Sequence, residues 1–372
     1  MRFAFAGLAA LAVAMGIGRF AFTPILPMMQ LDAGLTVADG GWLASANYLG
    51  YFAGAIGAGM RHASRVPGVV AIRAGLSAIV LSTLAMALDA GFPAWTVLRF
   101  VAGVASAWVL VHTSAWVLER NSSLGRPILA GILFAGVGAG IVVAGGFCVL
   151  LMRAHASSAS AWLLFGIVSA ATTAVIWPVF QISDAREKSS DVRHRWTRTQ
   201  ARLVAAYGAY GFGYIIPATF LPVMAKEVVS DPAVFGWAWP VFGAAAALST
   251  VGVSLLSGRY GNRAAWVGSH LVMALGVSAP VFWPGIGGIV LAALCVGGTF
   301  VVITMLGLQE ARSVAGAQAP RLMAAMTAAF AAGQIVGPMS VSLLVGAGDG
   351  IAAALVAASA VLIAGAALLL KR

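Results

Sequence analysis

The sequence predicts an all-α polytopic membrane protein with twelve transmembrane helices in two six-helix bundles. Three observations lead to this fold class. Of the 372 residues, 61% are hydrophobic and 9% are charged, whereas a typical soluble domain has roughly 25% charged residues. Apolar runs of about 20 residues, each long enough to cross the hydrocarbon core, recur along the chain. The two halves of the chain also repeat each other at one constant offset.

Short polar or turn-rich breaks separate the apolar runs and give the bounds of the predicted spans. One break, from Ile182 to Gln200, is long, charged and poor in aliphatic residues, as is typical of a linker. We therefore predict an N-terminal bundle over 1–182, a cytoplasmic linker over 183–201 and a C-terminal bundle over 202–372. In chain order, the predicted spans are 3–29, 40–60, 68–89, 94–118, 127–151, 160–182, 202–224, 234–257, 264–283, 286–309, 321–345 and 350–370.

Lysine and arginine residues are distributed unevenly between the two sets of loops. With the N-terminus in the cytoplasm, eighteen of them lie at inner ends of spans, and Arg153 and Lys226 lie at outer ends. The positive-inside rule then predicts cytoplasmic N- and C-termini. Topology and contact with the lipid bilayer explain the net charge of +11, so we predict no nucleic-acid partner.

The internal repeat appears at a shift of 195 residues. This shift aligns Leu26-Pro27 with Leu221-Pro222, Gly41-Trp42 with Gly236-Trp237, and Arg126 with Arg321. Matches of tryptophan, proline and arginine at one offset indicate two parallel six-helix repeats related by an axis along the membrane normal.

Several motifs resemble the major facilitator superfamily, and the resemblance covers essentially the whole chain. Arg99-Phe100-Val101-Ala102-Gly103 resembles the RxxxG motif, and the loop GAGMRHASRVP occupies the position of the GxxxDRxGRR signature, with Arg61 in place of its Asp. The stretches GIGRFAFTPILPMM and WLASANYLGYFAGA are similar to the YbfB/YjiJ group of bacterial facilitators. The resemblance implies the major facilitator fold and alternating-access transport across the bacterial inner (plasma) membrane, and it does not assign a substrate.

Arg19 lies inside the first apolar run, about 24 Å along a helix that begins near Phe3. A guanidinium at this depth costs at least ~2.5 kcal/mol on insertion scales, so it requires a wet cavity or a partner. Pro24 and Pro27 follow it and are predicted to loosen the outer end of the helix. Two interpretations remain open: Arg19 attracts an anionic group of the substrate or changes partner during transport, or it is a fixed hub that caps loosened carbonyl groups.

Other polar side chains in the spans are candidates for a central cavity. Asn47 and Tyr51 lie one helical turn apart, and Tyr214 occupies the position in the second half that Arg19 occupies in the first. Interhelical packing is the alternative role for each of these side chains. The predicted substrate-binding residues are Arg19, Asn47, Tyr51, Tyr210, Tyr214 and Gln334.

Three residues are candidates for proton coupling. His112 is interpreted as the only histidine well inside a span, and imidazole titrates near physiological pH. Arg99 enters through the resemblance, and Asp32 is a carboxylate at the end of a span. For His112 and Arg99, plain packing is the alternative. No Asp or Glu is predicted at mid-depth, which disfavours a cationic substrate and favours an anionic or neutral one.

The fifth and eleventh spans are rich in glycine. The fifth span resembles the glycine-rich motif of antiporters but has Ile141 where that motif has proline. Small residues four apart allow helices to pack closely. We predict gating or packing roles, with ordinary packing as the alternative, for Gly136, Gly140, Gly333, Gly337 and Pro338.

The sequence as a whole predicts a secondary active transporter of a small organic solute, with proton-coupled export (efflux by an antiporter) preferred. The alternative is an importer or uniporter of an organic anion. No clustered catalytic groups or metal ligands are present at depth, so we predict no enzyme activity, no cofactor and no metal. A receptor or scaffold is disfavoured because no soluble domain is predicted. We expect a monomer.

Overall fold

The computed structural model describes residues 1–60, 66–122, 124–181, 196–228, 232–346 and 350–370. Within these ranges, each predicted span corresponds to helix, and the predicted fold class is confirmed. In chain order the helices are α1 Arg2–Leu11, α2 Phe22–Asp32, α3 Val37–Gly59, α4 Gly68–Ala85, α5 Gly91–Ser122, α6 Ile128–Arg153, α7 Ser158–Ile176, α8 Arg198–Val228, α9 Pro232–Tyr260, α10 Asn262–Phe282, α11 Ile286–Ala315, α12 Ala319–Gly346 and α13 Gly350–Leu370.

Apolar composition makes these helices suitable for a membrane. In the described part of the chain, nine stretches are long and apolar enough to cross one, and the stretch Ile286–Met339 joins α11 and α12. Helices α3 and α8 are less apolar because they carry asparagine, tyrosine and glycine residues. Counting α1 and α2 as one span and α11 and α12 as two, the nine stretches contain ten spans. Helices α3 and α8 bring the number to the twelve that the sequence predicts.

The first span is irregular in its middle. Between α1 and α2 lies a nine-residue π-helical segment, Ala12–Phe20. A π-helix is rare and often marks a functional site. The sequence predicts irregularity further along, at Pro24 and Pro27, but Pro27 lies inside α2. The irregular segment lies where the first span packs closely on α6, since a Cβ atom on Gly16 would overlap the backbone of Gly140.

Helices α1–α7 form one half of the protein and α8–α13 the other. The halves meet chiefly where α6 packs on α9 and where α3 packs on α12. Gly131, Gly138 and Gly145 are spaced by seven residues and therefore lie on one face of α6. This face contacts α9, and a Cβ atom on Gly145 would lie 2.7 Å from Pro240 Cδ. At this glycine face, α6 packs directly against α9, and the two halves are in close contact.

Some predicted features cannot be compared with the structure. Most of the predicted linker, residues 182–195, lies outside the described residues, and so do Arg61 and Arg65 of the signature loop. The domain bounds therefore stay a prediction.

Ion pairs join the helix ends at the face of the protein where α1 begins, which we call the amino-terminal face. Arg312 of α11 contacts Glu119 of α5 at 3.5 Å, and this pair links the two halves. Arg263 of α10 contacts Glu310 of α11 at 2.9 Å, within one half. Helices α5 and α11 end at residues 122 and 315, beyond their predicted ends at residues 118 and 309. Glu119, Glu310 and Arg312 all lie in these extensions.

At the opposite face, side chains cap the helices. Thr36 and Asp39 form a reciprocal capping box at the start of α3, with the Asp39 amide donating to Thr36 Oγ1 at 3.1 Å. Asp32, at the end of α2, accepts hydrogen bonds from the amide and the hydroxyl of Ser158 in the first turn of α7. A carboxylate is favourable at this position because the amino terminus of a helix is partially positive.

Candidate functional site

Arg19 occupies the end of the π-helical segment and points towards the other half of the protein. Its side chain is buried, with 3% of the residue exposed. Nη2 donates a hydrogen bond to Gln334 Oε1 of α12, and the guanidinium carbon lies 4.0 Å from the centroid of the Tyr51 ring. The Tyr48 and Phe330 rings are also near, at 5.5 and 5.8 Å. The residue that the sequence singles out is therefore a cation held among aromatic faces.

The Arg19 guanidinium is only partly hydrogen-bonded. Within the described residues, Nε and Nη1 are buried and have no hydrogen-bond partner. Leaving a buried donor unpaired costs about 1–3 kcal/mol, and more when the group is charged. Arg19 also lines a cavity of about 20 Å³ between the two halves, which is room for one water molecule. Free donors of a cation thus lie beside a small cavity.

Arg99, by contrast, bonds to the backbone through both terminal nitrogens, and only its Nε is buried without a partner in the described residues. Its Nη1 donates to the Gly18 carbonyl oxygen at 3.1 Å and its Nη2 donates to the Arg19 carbonyl oxygen at 3.3 Å. From the same helix, Ser106 donates to the Ala14 carbonyl oxygen at 2.8 Å. Helix α5 therefore supplies donors to carbonyl groups of the π-helical segment, and Arg99 is the arginine that caps loosened carbonyls.

Asn47 supports this arrangement from α3. Its Nδ2 donates to the Arg99 carbonyl oxygen at 2.9 Å, and its Oδ1 is buried without a partner in the described part of the chain. Gly103 packs on the backbones of Asn47 and Tyr51, and a Cβ atom there would overlap them. Asn47 is therefore an interhelical contact, whereas the Tyr51 side chain reaches the cavity.

The carboxyl-terminal half contributes the opposite wall of the cavity. Tyr210 donates to the Phe300 carbonyl oxygen at 2.6 Å and lies 3.3 Å from Thr304 Oγ1. Tyr214 stacks on the Phe300 ring at 5.2 Å between centroids. Gln334 is 1% exposed and accepts from Arg19. Arg19, Tyr51 and Tyr210 thus line the cavity between the halves, while Gln334 reaches Arg19 and Tyr214 packs behind Phe300.

A stack of aromatic rings in the carboxyl-terminal half, two of which line the cavity, was not predicted from the sequence. The rings of Trp239, Phe242, Phe300, Tyr214 and Phe330 follow one another at 5.5, 5.1, 5.2 and 6.2 Å between centroids, with interplanar angles of 9–26°. We call these five rings the aromatic stack. The residues come from four different helices, α9, α11, α8 and α12, so their alignment was not visible in the sequence. The i, i+3 spacing of Trp239 and Phe242 was the one local signal.

The histidines require a correction. His112 is interpreted from the sequence as the only histidine deep in a span, but His270 of α10 is 0% exposed. Its ring nitrogens face the carbonyl oxygens of Trp266 and Ala206 at 3.3 and 3.4 Å, and its ring lies 6.3 Å from that of Tyr210. His270 was not predicted to lie deep in a span because the predicted span begins at residue 264, only six residues before it.

The other predicted coupling residues lie away from the cavity. His112 lies beside Gly68 at the start of α4, while Leu110, two residues earlier, lines the cavity. Asp32 caps α7 at the opposite face. The structure therefore does not bring His112 and Asp32 together with Arg19.

The predicted gating glycines pack within their own halves. Gly136 lies against the backbone of Leu8, and a Cβ atom on Gly140 would lie 2.7 Å from the Cα atom of Gly16. In the second half, Gly333 packs on Gly208 and Phe212 of α8 in the same way, and Gly337 packs on Ile215. Pro338 lies inside α12. A gating role for these residues stays a prediction.

Solved structures with the same arrangement of helices are transporters of the major facilitator superfamily. The human organic anion transporter MFSD10 (TETRAN) matches with a TM-score of 0.75 at 12% identity, over 99% of this chain and 98% of that chain. FucP in the outward conformation matches with a TM-score of 0.74 at 15% identity, over 99% of each chain. A variant of the E. coli fucose:proton symporter FucP matches with a TM-score of 0.75 at 14% identity, over 98% of each chain. At these identities the likeness shows the fold.

The family follows from the sequence itself. A family model described as "uncharacterised MFS-type transporter YbfB" matches residues 11–370, and the chain belongs to this family of the major facilitator superfamily. A search of curated proteins finds no match. The resemblance that the sequence analysis gives is confirmed, and the protein is a multi-pass membrane protein of the secondary transporter type that acts on a small-molecule solute.

Proposed function

We propose that this transporter moves a small organic anion whose acid group binds Arg19. One observation carries the proposal: in the described residues, Arg19 Nε and Nη1 are buried donors without partners at the cavity between the two halves. A carboxylate accepts hydrogen bonds from a guanidinium at two oxygens, and such charge-assisted bonds are roughly twice as strong as neutral ones. An anionic group therefore satisfies the site better than a neutral group does.

Gln334 is the partner that the anion replaces. Its amide oxygen, a neutral acceptor from α12, occupies Nη2 of Arg19. When a carboxylate takes this position, Arg19 gains a charged partner. Its hydrogen bond to Gln334, which joins the two halves, is then broken. The cavity of about 20 Å³ is smaller than an organic acid, so binding requires Gln334 and its neighbours to move. Exchange of partners at Arg19 thus couples binding to the relative movement of the halves.

Proton-coupled export is the direction that we propose, with import or uniport of the anion as the alternative. His112, Arg99 and Asp32 remain the proposed coupling residues. Proteins of this fold include an anion transporter and a proton-coupled transporter, since MFSD10 is named an organic anion transporter and FucP a fucose:proton symporter. The distribution of arginine and lysine supports placement in the bacterial inner membrane with both termini in the cytoplasm, and we propose domain bounds at 182 and 202.

The first test is thermal unfolding of the purified protein with benzoate, succinate, choline and glucose. A ligand that binds only the folded state stabilises it by ~2.7 kcal/mol at a hundredfold excess over Kd. We expect stabilisation by an anion in wild type and in Arg153→Gln, a control at the exposed end of α6. We expect none in Arg19→Gln, and a weaker effect in Arg19→Lys because lysine lacks the planar fork. Stabilisation by choline or glucose alone, or by an anion in Arg19→Gln, would overturn the proposal.

Direction and coupling are tested in proteoliposomes loaded with the anion that binds. If export is by proton antiport, a pH gradient that is more acidic outside the vesicles should accelerate outward movement of the anion against its own concentration gradient. Flux that follows only the anion gradient would support uniport.

A further inference from the structure

The aromatic stack ends beside the cation. Phe330, its last ring, lies 5.8 Å from the Arg19 guanidinium carbon and makes an edge-to-face contact with Tyr51 at 6.5 Å. Phe300, in the middle of the stack, and Phe330 both line the cavity with Arg19. The carboxyl-terminal half thus places two aromatic rings beside the same small cavity that the Arg19 guanidinium of the amino-terminal half lines.

A second ring from the amino-terminal half, Phe20, also reaches the stack. Phe20 follows Arg19 directly and lines the cavity. It contacts Trp239 at 6.3 Å and Phe300 at 6.1 Å, with interplanar angles of 62° and 86°. These contacts are edge-to-face, the arrangement in which the positive edge of one ring meets the negative face of another. The stack therefore accepts a ring that comes from the other side of the cavity.

We infer that the transported anion is an aromatic carboxylate, and this inference rests on the proposed function. Its carboxylate binds Arg19, and its ring takes the place of the Phe20 ring in the edge-to-face contact with Phe300, beside Phe330. Charge and ring are adjacent in such a molecule, as Arg19 and the aromatic stack are adjacent in the protein. An aliphatic acid satisfies Arg19 equally well but gains no ring contact.

The test compares four probes by isothermal titration of the purified full-length protein. Benzoate carries both features, cyclohexanecarboxylate carries the charge on a ring without π-electrons, benzyl alcohol carries the ring without charge, and propionate carries the charge alone. An aromatic pair contributes enough to change affinity by about threefold to tenfold. We therefore expect benzoate to bind at least threefold more tightly than cyclohexanecarboxylate, and benzyl alcohol to bind much more weakly than either.

Variants locate the preference. Phe300→Leu should reduce the ratio of the two affinities towards one. Phe330→Leu, at the other ring of the stack that lines the cavity, provides a second variant in case Phe300→Leu fails to fold. Phe147→Leu is the matched control, because Phe147 pairs with Phe165 outside the stack, and it should keep the ratio.

The outcomes separate the two proposals. Equal affinities for benzoate and cyclohexanecarboxylate, both lost in Arg19→Gln, would overturn the aromatic inference and leave the organic-anion function in place. Binding of benzyl alcohol as tight as that of benzoate, unchanged in Arg19→Gln, would overturn both. A preference for benzoate that survives both Phe300→Leu and Phe330→Leu would show that the stack does not select the ring, and would also overturn the inference.

Discussion

The guanidinium of Arg99 donates a hydrogen bond to the carbonyl oxygen of Arg19, at 3.3 Å. Two buried arginines are therefore neighbours with different tasks. Arg99 holds the backbone of the π-helical segment, while the side chain of Arg19 faces the cavity with two unpaired donors in the described part of the chain. Because the carbonyl groups of Gly18 and Arg19 both depend on Arg99, the geometry at Arg19 depends on it as well.

Replacement of Arg99 by glutamine should weaken this support. The change removes donors from two buried carbonyl groups, and we expect the free energy of unfolding to fall by about 1–3 kcal/mol. Chemical unfolding in detergent measures it, with Arg153→Gln at an exposed helix end as the control. Unchanged stability and unchanged anion affinity in Arg99→Gln would show that the π-helical segment holds its geometry without Arg99.

Close packing of α6 against the π-helical segment should not tolerate a side chain at Gly140. A Cβ atom there would lie 2.6 Å from the Ala12 carbonyl oxygen, whereas one on Gly146 of the same helix meets nothing within 4 Å. We expect Gly140→Ala to cost about 1–3 kcal/mol through overpacking. Gly146→Ala should be neutral, or stabilising by up to about 1 kcal/mol through helix propensity. Equal effects of the two changes on thermal unfolding would contradict this assignment.

Replacement of Gln334 by glutamate should block the site from within. A carboxylate at this position supplies Arg19 with the charged partner that we assign to the substrate. We expect Gln334→Glu to remain folded and to bind anions at least tenfold more weakly, a change of about 1.4 kcal/mol. Gln334→Leu removes the amide without adding charge and should keep anion binding. Titration of both variants decides the point, and normal affinity in Gln334→Glu would argue against Arg19 as the anion site.

The two ion pairs at the amino-terminal face should behave differently. Glu119→Gln breaks a pair between the halves whose Glu119 side chain is 50% exposed, so stability should change by less than about 1 kcal/mol. Glu310→Gln breaks a pair within one half whose Glu310 side chain is 13% exposed, so a loss of about 1–3 kcal/mol is expected.

Transport rates should respond to Glu119→Gln if the amino-terminal face opens during the cycle. On the same preparations, unfolding assays measure the change in stability and flux assays measure the change in transport rate.

His112 should not contribute to anion affinity. Two residues correspond to about 200° around an α-helix, so His112 lies on the face of α5 opposite to Leu110, which lines the cavity. We expect His112→Asn to bind the anion within about twofold of wild type, whatever it does to the pH dependence of flux. A larger loss would place His112 in the binding site after all.

The sequence determined the fold class, the positions of the spans and the family, because these depend on long apolar runs, on loop charge and on local motifs. It also indicated Arg19, since a cation inside an apolar run stands out by composition alone. Segments 182–195 and 61–65, where the linker and part of the signature loop fall, lie outside the described residues, so those predictions stand on sequence alone.

Only the tertiary structure decided which arginine caps the backbone and which faces the cavity. Arg19 and Arg99 are both buried arginines in apolar helices, and nothing in their neighbouring residues distinguishes a guanidinium bonded to carbonyl groups from one with free donors. The π-helical segment and the aromatic stack have the same origin, since each depends on contacts between helices that are distant in the chain. Periodicity along one helix reports which face is apolar, whereas the partner of that face is fixed when the helices pack.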